Sequence, residues 1–340
     1  MPEAFLKLSQ TDRNEALEVA AAATGRPAHL LEKDVWVVWA LSALFQAPVG
    51  VGLTFKGGTS LSKAYKIIDR FSEDIDLTYD IRRLLPDLVS DGQAIPSSKS
   101  QARKWTTAVR QRLPAWMEAS IVPVIQDALS KQGLSAEIVM GGDEHDKLFI
   151  NYDPLKRGSG YVSPQVLLEF GARATGEPNQ ILDVACDMQG HVQGIVFPQA
   201  SPCVMKVERT FWEKATAAHV YCAQGKIRGE RFARHWHDLA MLLKTQYFEQ
   251  AITDRIAAQG VAEHKSFFFA EKSTDGAEIS YAAAVHGELQ IVPQGESRTV
   301  LQADYGKMVE DGILLQQAMP FDELMRCCQE LQARANEKAA

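Results

Sequence analysis

The chain has 340 residues, with 36 Lys and Arg against 43 Asp and Glu and a formal charge of −7 with His neutral. At roughly 150 residues per domain that length provides for two domains and a full core, and 46% hydrophobic with 23% charged residues excludes a disordered, collagenous or coiled-coil chain. The acidic total excludes a surface coated in positive charge for indiscriminate nucleic-acid binding, and leaves room for one local basic surface.

In chain order, an Ala-rich helical pattern covers 12–24, and Pro27 with His29 precedes a second helix. Its apolar run, Val35 to Phe45, is too short to span a bilayer and reads as buried. Val51 to Phe55 alternates as a strand, stops at Gly57-Gly58 and passes into helical periodicity at Ser60–Tyr65; a second short strand follows at Ile75–Tyr79. Residues 97–117 form a helical pattern carrying Lys99, Arg103, Lys104, Arg110 and Arg112 and no acid. Segments 135–140 and 147–152 flank a Gly141-Gly142-Asp143 turn as a hairpin, and Val166–Phe170 continues the β pattern. From 205 the periodicity turns helical, through Lys206–Tyr221 and Arg231–Lys244; 264–293 suggests a short strand pair, and 320–338 closes with a helix. The first half reads α+β and the second mainly α. No repeat or low-complexity tract is present.

Cys186, Cys203, Cys222, Cys327 and Cys328 are too scattered for a disulfide framework and form no C-x-x-C pair, so they read as reduced thiols of a cytoplasmic protein. The N-terminus has no basic region followed by an apolar stretch, so neither a signal peptide nor membrane association is expected.

Two local features carry chemistry. Gly57-Gly58-Thr59-Ser60 lies between a strand and a helix, where glycines leave room for a phosphate and the exposed N–H groups of the helix attract it. The same string also serves as a plain turn, and no G-x-x-x-x-G-K-[ST] or G-x-G-x-x-G accompanies it. In Arg70-Phe71-Ser72-Glu73-Asp74-Ile75-Asp76-Leu77, alternation puts Asp74 and Asp76 on one face while Ile75 and Leu77 enter the core. Two such carboxylates repel unless a cation sits between them, the arrangement that holds Mg²⁺ against a triphosphate; the other reading is an acidic strand edge kept soluble by its charge.

A G-[GS] turn opening a helix, followed by a strand bearing D-x-D, is the arrangement of the polymerase-β-like nucleotidyltransferases. The fuller string Gly57-Gly58-Thr59-Ser60-Leu61-Ser62-Lys63, with Arg70 to Leu77, closely resembles the AbiEii/AbiGii family of nucleotidyltransferase toxins. Lys206-Val207-Glu208-Arg209-Thr210-Phe211-Trp212-Glu213-Lys214 and Arg231-Phe232-Ala233-Arg234-His235-Trp236-His237-Asp238-Leu239 resemble its later motifs, with weaker echoes at Glu32-Lys33-Asp34 and Asp304-Tyr305. The chain departs from the family pattern after Phe267-Phe268-Phe269, where no Trp follows. The resemblance implies an α+β fold: a polymerase-β-like domain over 1–200, a small mixed sheet with flanking helices, then a mainly helical domain over 201–340. It implies an enzyme that uses Mg²⁺ (or Mn²⁺) to transfer NMP from an NTP to an acceptor hydroxyl, with the tRNA 3′ end a plausible acceptor. It further implies a toxin that arrests growth or aborts phage infection, paired with a cognate antitoxin.

On this reading Gly57, Gly58, Thr59, Ser60 and Lys63 bind phosphates, and Asp74 and Asp76 hold the metals. Helical spacing puts Lys206, Arg209, Thr210, Glu213 and Lys214 along one face, so Lys206 and Arg209 join the nucleotide site and Lys214 balances leaving-group charge. Arg231, Arg234, His235 and Asp238 share a face of the next helix, where Asp238, essential by resemblance, orients Lys214 or Arg209; the competing reading of both rows is a solvated face with i,i+4 salt bridges. Glu169, charged among apolar neighbours, is either a third metal ligand that helps activate the acceptor hydroxyl or a partner of Arg173. Ser72 is a candidate regulatory phosphorylation site beside Asp74. The helix from Lys99 to Arg112, with Trp105, is either an RNA-backbone contact or a solubilising face. His219 and His235 read as packing or hydrogen-bonding residues, and no hydrolase or metalloprotease motif occurs. Two alternatives stay open: nucleotidylation of a protein or small molecule, and a non-catalytic nucleotide-binding module acting through a partner.

Overall fold

The computed structural model describes residues 2–90, 92–93, 95–158, 162–225, 227, 231–310, 312–314 and 318–339. They form two compact units, one of residues 1–65, 71–94 and 105–205 and one of residues 66–70, 95–104 and 206–340. The expected boundary at 200 lies a few residues before the switch at Met205, and two short pieces inside the first half belong to the second unit.

The first unit is built on a seven-stranded mixed sheet. Its strands are β1 (Leu53–Lys56), β2 (Ile75–Tyr79), β3 (Ala136–Gly141), β4 (Lys147–Tyr152), β5 (Gln165–Gly171), β6 (Asn179–Ile181) and β7 (Cys203–Met205), in the order β3-β4-β5-β2-β1-β7-β6. β2 is antiparallel to β1 and parallel to β5, which places the expected acidic strand at the centre of the sheet. Alternation then sorts the side chains: Phe55, Ile75, Leu77, Leu148, Ile150, Leu168 and Phe170 are buried, and the residues between them face the other way. Helix α1 (Gln10–Thr24) is capped by Ser9, whose side chain accepts from the Asp12 N–H, and ends on a left-handed Gly25. Helix α2 (Ala28–Gln46) is buried almost all round, as its apolar run predicts. Trp36 stacks on Tyr152 with ring centroids 4.9 Å apart, and Trp39 Nε1 donates to Gln132 Oε1 at 3.1 Å. Among the described residues no helix is long and apolar enough to cross a membrane.

Helix α3 (Gly57–Lys63) follows β1 directly. The basic helix α4 (Lys99–Trp116) forms as its pattern predicts, continues through a π-helical turn at Met117–Ile121, and leads to α5 (Val122–Gln132). Trp105 is 1% exposed, so it is a core residue and cannot stack on RNA. Three of the five cations on this helix are paired: Lys99 with Glu278, Arg110 with Glu144 and Arg112 with Asp87. Arg103 and Lys104 stay exposed.

The second unit is helical: α6 (Val207–Ala223), α7 (Ala233–Leu243), α8 (Gln246–Thr253), α9 (Arg255–Phe268), α10 (Gly295–Glu310) and α11 (Phe321–Ala339). Each buried indole is satisfied by backbone: Trp212 donates to the Ala251 carbonyl at 2.9 Å and Trp236 to the Ile291 carbonyl at 2.6 Å. The strand pair expected within 264–293 reduces to one bridge between Lys272 and Glu278, because Arg255–Phe268 and Tyr281–Val285 are helical. The extended stretch near 290 pairs with side chains of α11 instead of a strand: Asn336 exchanges two hydrogen bonds with Leu289, and Gln332 accepts from the Ile291 N–H.

Candidate active site

Strand register in the first unit builds a row of charges. Lys56 lies opposite Asp76, Asp76 opposite Glu169, and Glu169 opposite Lys147, so four adjacent strands each place one charged side chain on the same face. At about 4.8 Å between strands the row spans roughly 14 Å, two carboxylates flanked by two lysines. Asp74, two residues before Asp76 and just ahead of β2, is near enough to this row to act on the Lys147 ammonium. Lys147 pairs with Glu169 at 3.1 Å. Burial pulls the Lys147 ammonium down, but Glu169, Asp146 and Asp74 outweigh it and hold the ammonium above its ordinary value.

The glycine turn meets this row. Gly57 has φ of +75°, in the left-handed region, and a Cβ built on it would fall 1.9 Å from Asp76 Oδ2. Only glycine fits, because the Asp76 carboxylate lies over its backbone. No side chain caps the start of α3. Thr59 is buried beneath the turn, donating to the Asp74 carbonyl with its Oγ1 2.9 Å from the Ser72 hydroxyl. Ser60 Oγ donates to the Gly57 carbonyl at 2.9 Å. Turn and acidic strand are thus bonded together. Ser72 is only 9% exposed, so a kinase reaches it only after local opening.

Lys63 is not at the phosphate end of α3. Its ammonium pairs with Asp34 and Asp187, each at 2.6 Å, and Arg26 joins Asp187 at 2.7 Å. Burial pulls the ammonium down and the two carboxylates more than reverse this, so it stays charged. The physical reason is helical phase: from Gly57 to Lys63 the helix makes almost two turns, and the last side chain points inward. The Glu32-Lys33-Asp34 triplet, which sequence reasoning held only as a faint echo, is buried as a whole. Glu32 accepts from the Leu155 and Lys156 N–H groups, Lys33 pairs with Glu73 and donates to the Ser163 carbonyl at 3.0 Å, and Asp34 holds Lys63.

Glu169 pairs with Lys147, not Arg173, which lies 3.7 Å from Glu144. Its apolar sequence neighbours do not bury it, because strand alternation sends Leu168 and Phe170 to one side and Glu169, 44% exposed, to the other. Among the described residues no three His, Cys, Asp or Glu side chains gather closely enough to hold a metal ion by themselves. Asp76 sets a hard oxygen donor over the Gly57 backbone and Asp74 adds a second two residues earlier, which fits Mg²⁺: that ion takes one or two protein carboxylates and completes its shell with substrate phosphates and water.

In the second unit, Asp238 is fully buried at the centre of a cation cluster. Arg70 forks onto it with Nε–Oδ1 at 2.7 Å and Nη2–Oδ2 at 2.8 Å, and Lys214 Nζ lies 2.8 Å from Oδ2. Of the two partners sequence reasoning left open, Asp238 therefore takes Lys214, while Arg209 pairs with Glu213 at 3.1 Å. Lys206 stands exposed before α6. Burial pushes the Asp238 carboxyl up, but Arg70 and Lys214 outweigh it and hold it well below the usual carboxylate range. His237 lies 3.6 Å from Asp238 and 3.3 Å from Asp69; burial pulls it down and these carboxylates more than reverse it. His235 packs against Tyr221 and is pushed down to about 3 by burial and Lys214. His219 Nδ1 accepts from the Gln290 N–H. Arg70 has no role that spacing could reveal, because its partner Asp238 lies 168 residues along the chain. Asp304 caps α7, accepting from the Arg231 and Ala233 N–H groups at 2.9 and 2.7 Å.

A family model described as the nucleotidyl transferase AbiEii toxin of type IV toxin–antitoxin systems matches residues 39–327. Among solved structures the chain is similar to the nucleotidyltransferase toxin MenT4 of Mycobacterium tuberculosis H37Rv, at 16% identity over 98% of each chain and a TM-score of 0.42. It is also similar to JHP933 of Helicobacter pylori, at 15% identity over 91% of this chain and 90% of that one, with a TM-score of 0.42. No curated protein matches at a significant level.

Proposed function

The chain belongs to the AbiEii family of nucleotidyl transferase toxins of type IV toxin–antitoxin systems, and we propose that its reaction is Mg²⁺-dependent transfer of NMP from an NTP to an acceptor hydroxyl on RNA, the tRNA 3′ end in particular. The observation that carries this reading is the charged row of Lys56, Asp76, Glu169 and Lys147 with Asp74 beside it, bonded to the Gly57–Ser60 turn. Asp74 and Asp76 would hold the metal, with Glu169 as a third donor once released from Lys147. Bound there, Mg²⁺ would neutralise triphosphate charge and favour ionisation of the attacking hydroxyl.

The protein's own groups do the rest. The Gly57-Gly58 backbone offers N–H groups to phosphate oxygens without a side chain in the way. Lys56 and Lys147 bracket the carboxylates, so excess negative charge on that face is balanced from both sides. Thr59 fixes the Asp74 backbone, holding both carboxylates in place for in-line attack at the α-phosphorus. Lys214, oriented by Asp238, is proposed to balance pyrophosphate charge, with Lys206 and Arg209 as further phosphate cations. A growth-arresting or phage-aborting toxin working in the cytoplasm beside its antitoxin follows from the same reading.

The test is to incubate the protein with each radiolabelled NTP, Mg²⁺ and either total RNA or protein extract. Label in RNA that disappears with Asp74→Ala and Asp76→Ala supports the proposal. Label in protein moves the acceptor, and no label above Asp74→Ala in any fraction leaves a nucleotide-binding module. Undiminished toxicity of Asp76→Ala in cells would defeat the catalytic reading.

A further inference from the structure

The first unit contains a cavity of about 330 Å³ lined by His29, Lys33, Tyr152, Lys156, Arg157 and Gly158, together with the turn at 162–164. That volume lies at the lower end of small-molecule sites. Among the described residues that line it, every formally charged side chain is cationic and none is Asp or Glu. Its described lining comes from the first two turns of α2, the end of β4 and residues within 154–158 and 162–164. Glu32 pins the backbone of this loop through the Leu155 and Lys156 N–H groups, and the Lys156 ammonium pairs with Glu18. Tyr152 is held flat against Trp36, with the rings inclined by only 12°. Burial pulls His29 below its ordinary value, so at neutral pH its ring both donates and accepts.

The cavity connects to the carboxylates through the chain. Lys33, on its wall, pairs with Glu73 and donates to the Ser163 carbonyl, and Glu73 is the residue before Asp74. Consecutive Cα atoms lie about 3.8 Å apart, so a ligand seated against Lys33 lies close in the chain to the strand proposed to carry out transfer. We propose that this cavity is a subsite for one phosphorylated nucleoside unit: Arg157 takes the phosphate, joined by Lys156 as it exchanges Glu18 for the ligand, His29 hydrogen-bonds the sugar or base, and Tyr152 gives a flat wall. The proposal rests on the nucleotidyl-transfer reading. The unit has two sources, a terminal nucleotide of an RNA acceptor or a free nucleotide.

Two variants separate charge from shape. Arg157→Glu reverses an exposed cation on the wall. Gly158→Val fills the space, since a Cβ there would lie 2.5 Å from the His29 ring. Lys131→Glu, exposed and away from the cavity lining, is the control. Dissociation constants of a short fluorescent single-stranded RNA and of a fluorescent nucleoside monophosphate would be measured in EDTA, which stops turnover, after circular dichroism has shown each variant folded. Arg157→Glu should weaken binding of one probe by about ten- to a hundredfold, the scale of a lost charge-assisted contact, and lower its salt slope by about one. Gly158→Val should weaken the same probe without changing the slope. Loss confined to RNA identifies the acceptor as source, and loss confined to the monophosphate identifies a free nucleotide. If both variants fold and bind both probes as the wild type does, the subsite is overturned. If wild type transfers no label to any acceptor and the variants still lose binding, the transfer reading falls and the cavity stands.

Discussion

Gly57→Ala tests whether the glycine turn and the acidic strand act as one device. At φ of +75° a side chain costs about 1–2 kcal/mol in backbone strain. The larger effect is local: the new Cβ would lie 1.9 Å from Asp76 Oδ2, and ordinary contact begins at 3.4 Å, so the carboxylate must move by about 1.5 Å. A misplacement of about 1 Å in a reacting constellation costs on the order of 10²-fold in rate. The strain alone should lower the melting temperature by about 2–8 °C, at about 2–4 °C per kcal/mol for a unit of this size. The assay pairs thermal melts with pyrophosphate release under saturating NTP and Mg²⁺. The expected result is a small loss of stability with a turnover loss of about 10²-fold, far beyond the unfolded fraction. Asp76→Ala removes the atom struck, so Gly57→Ala combined with Asp76→Ala should be more stable than the sum of the single changes. Wild-type turnover in Gly57→Ala, or additive stabilities in the pair, would refute the contact as the reason for the glycine.

Other outcomes follow from the buried charges. Arg70→Ala strips the forked partner from Asp238 and should destabilise the protein by about 3–5 kcal/mol in urea titration; a loss below about 1 kcal/mol would mean that Lys214 alone suffices. His237 is held above its ordinary value, so the stability it contributes is complete at acidic pH and fades as pH rises through its folded value. The urea midpoint lost in His237→Asn should therefore be larger at acidic than at alkaline pH, and an equal loss at both would remove the histidine's charge from the account. Asp238 runs the other way: its depressed value stabilises the fold above the unfolded carboxylate value and is lost only in strong acid, as pH falls through the folded value. Trp105→Ala should cost about 3–5 kcal/mol as a core deletion, while Arg103→Glu with Lys104→Glu should leave the melt unchanged and lower the salt slope of RNA binding only if this face meets RNA.

What could be read from the chain alone was local. Ile75–Tyr79 forms with the expected bounds because its alternation is complete within five residues, and α2 forms because its apolar run buries on every side. Asn179–Ile181 and Cys203–Met205 are three residues each, too short for a period to show, yet they complete one edge of the sheet. The pieces 66–70 and 95–104 join the second unit through distant partners such as Asp238 and Glu278, which no local pattern announces. Lys63 and Glu169 were each placed by their neighbours in sequence. The helix turned the first inward and the strand turned the second outward.

The Glu32-Lys33-Asp34 triplet shows why a motif can be legible as a string and opaque as chemistry. Three consecutive residues on a helix point about 100° apart, so they cannot serve one site on a shared face. Here they serve three: Glu32 fixes the loop at 155–156, Lys33 holds the residue before Asp74, and Asp34 locks the end of α3 through Lys63. Each side chain is buried, so each needs a partner, an opposite charge for Lys33 and Asp34 and two backbone N–H groups for Glu32, since an unpaired ion there would cost several kcal/mol. One turn of a core helix thereby sets the positions of a glycine turn, an acidic strand and a loop that lie far apart in sequence. The carboxylates that would meet the triphosphate are positioned by ions that never touch it.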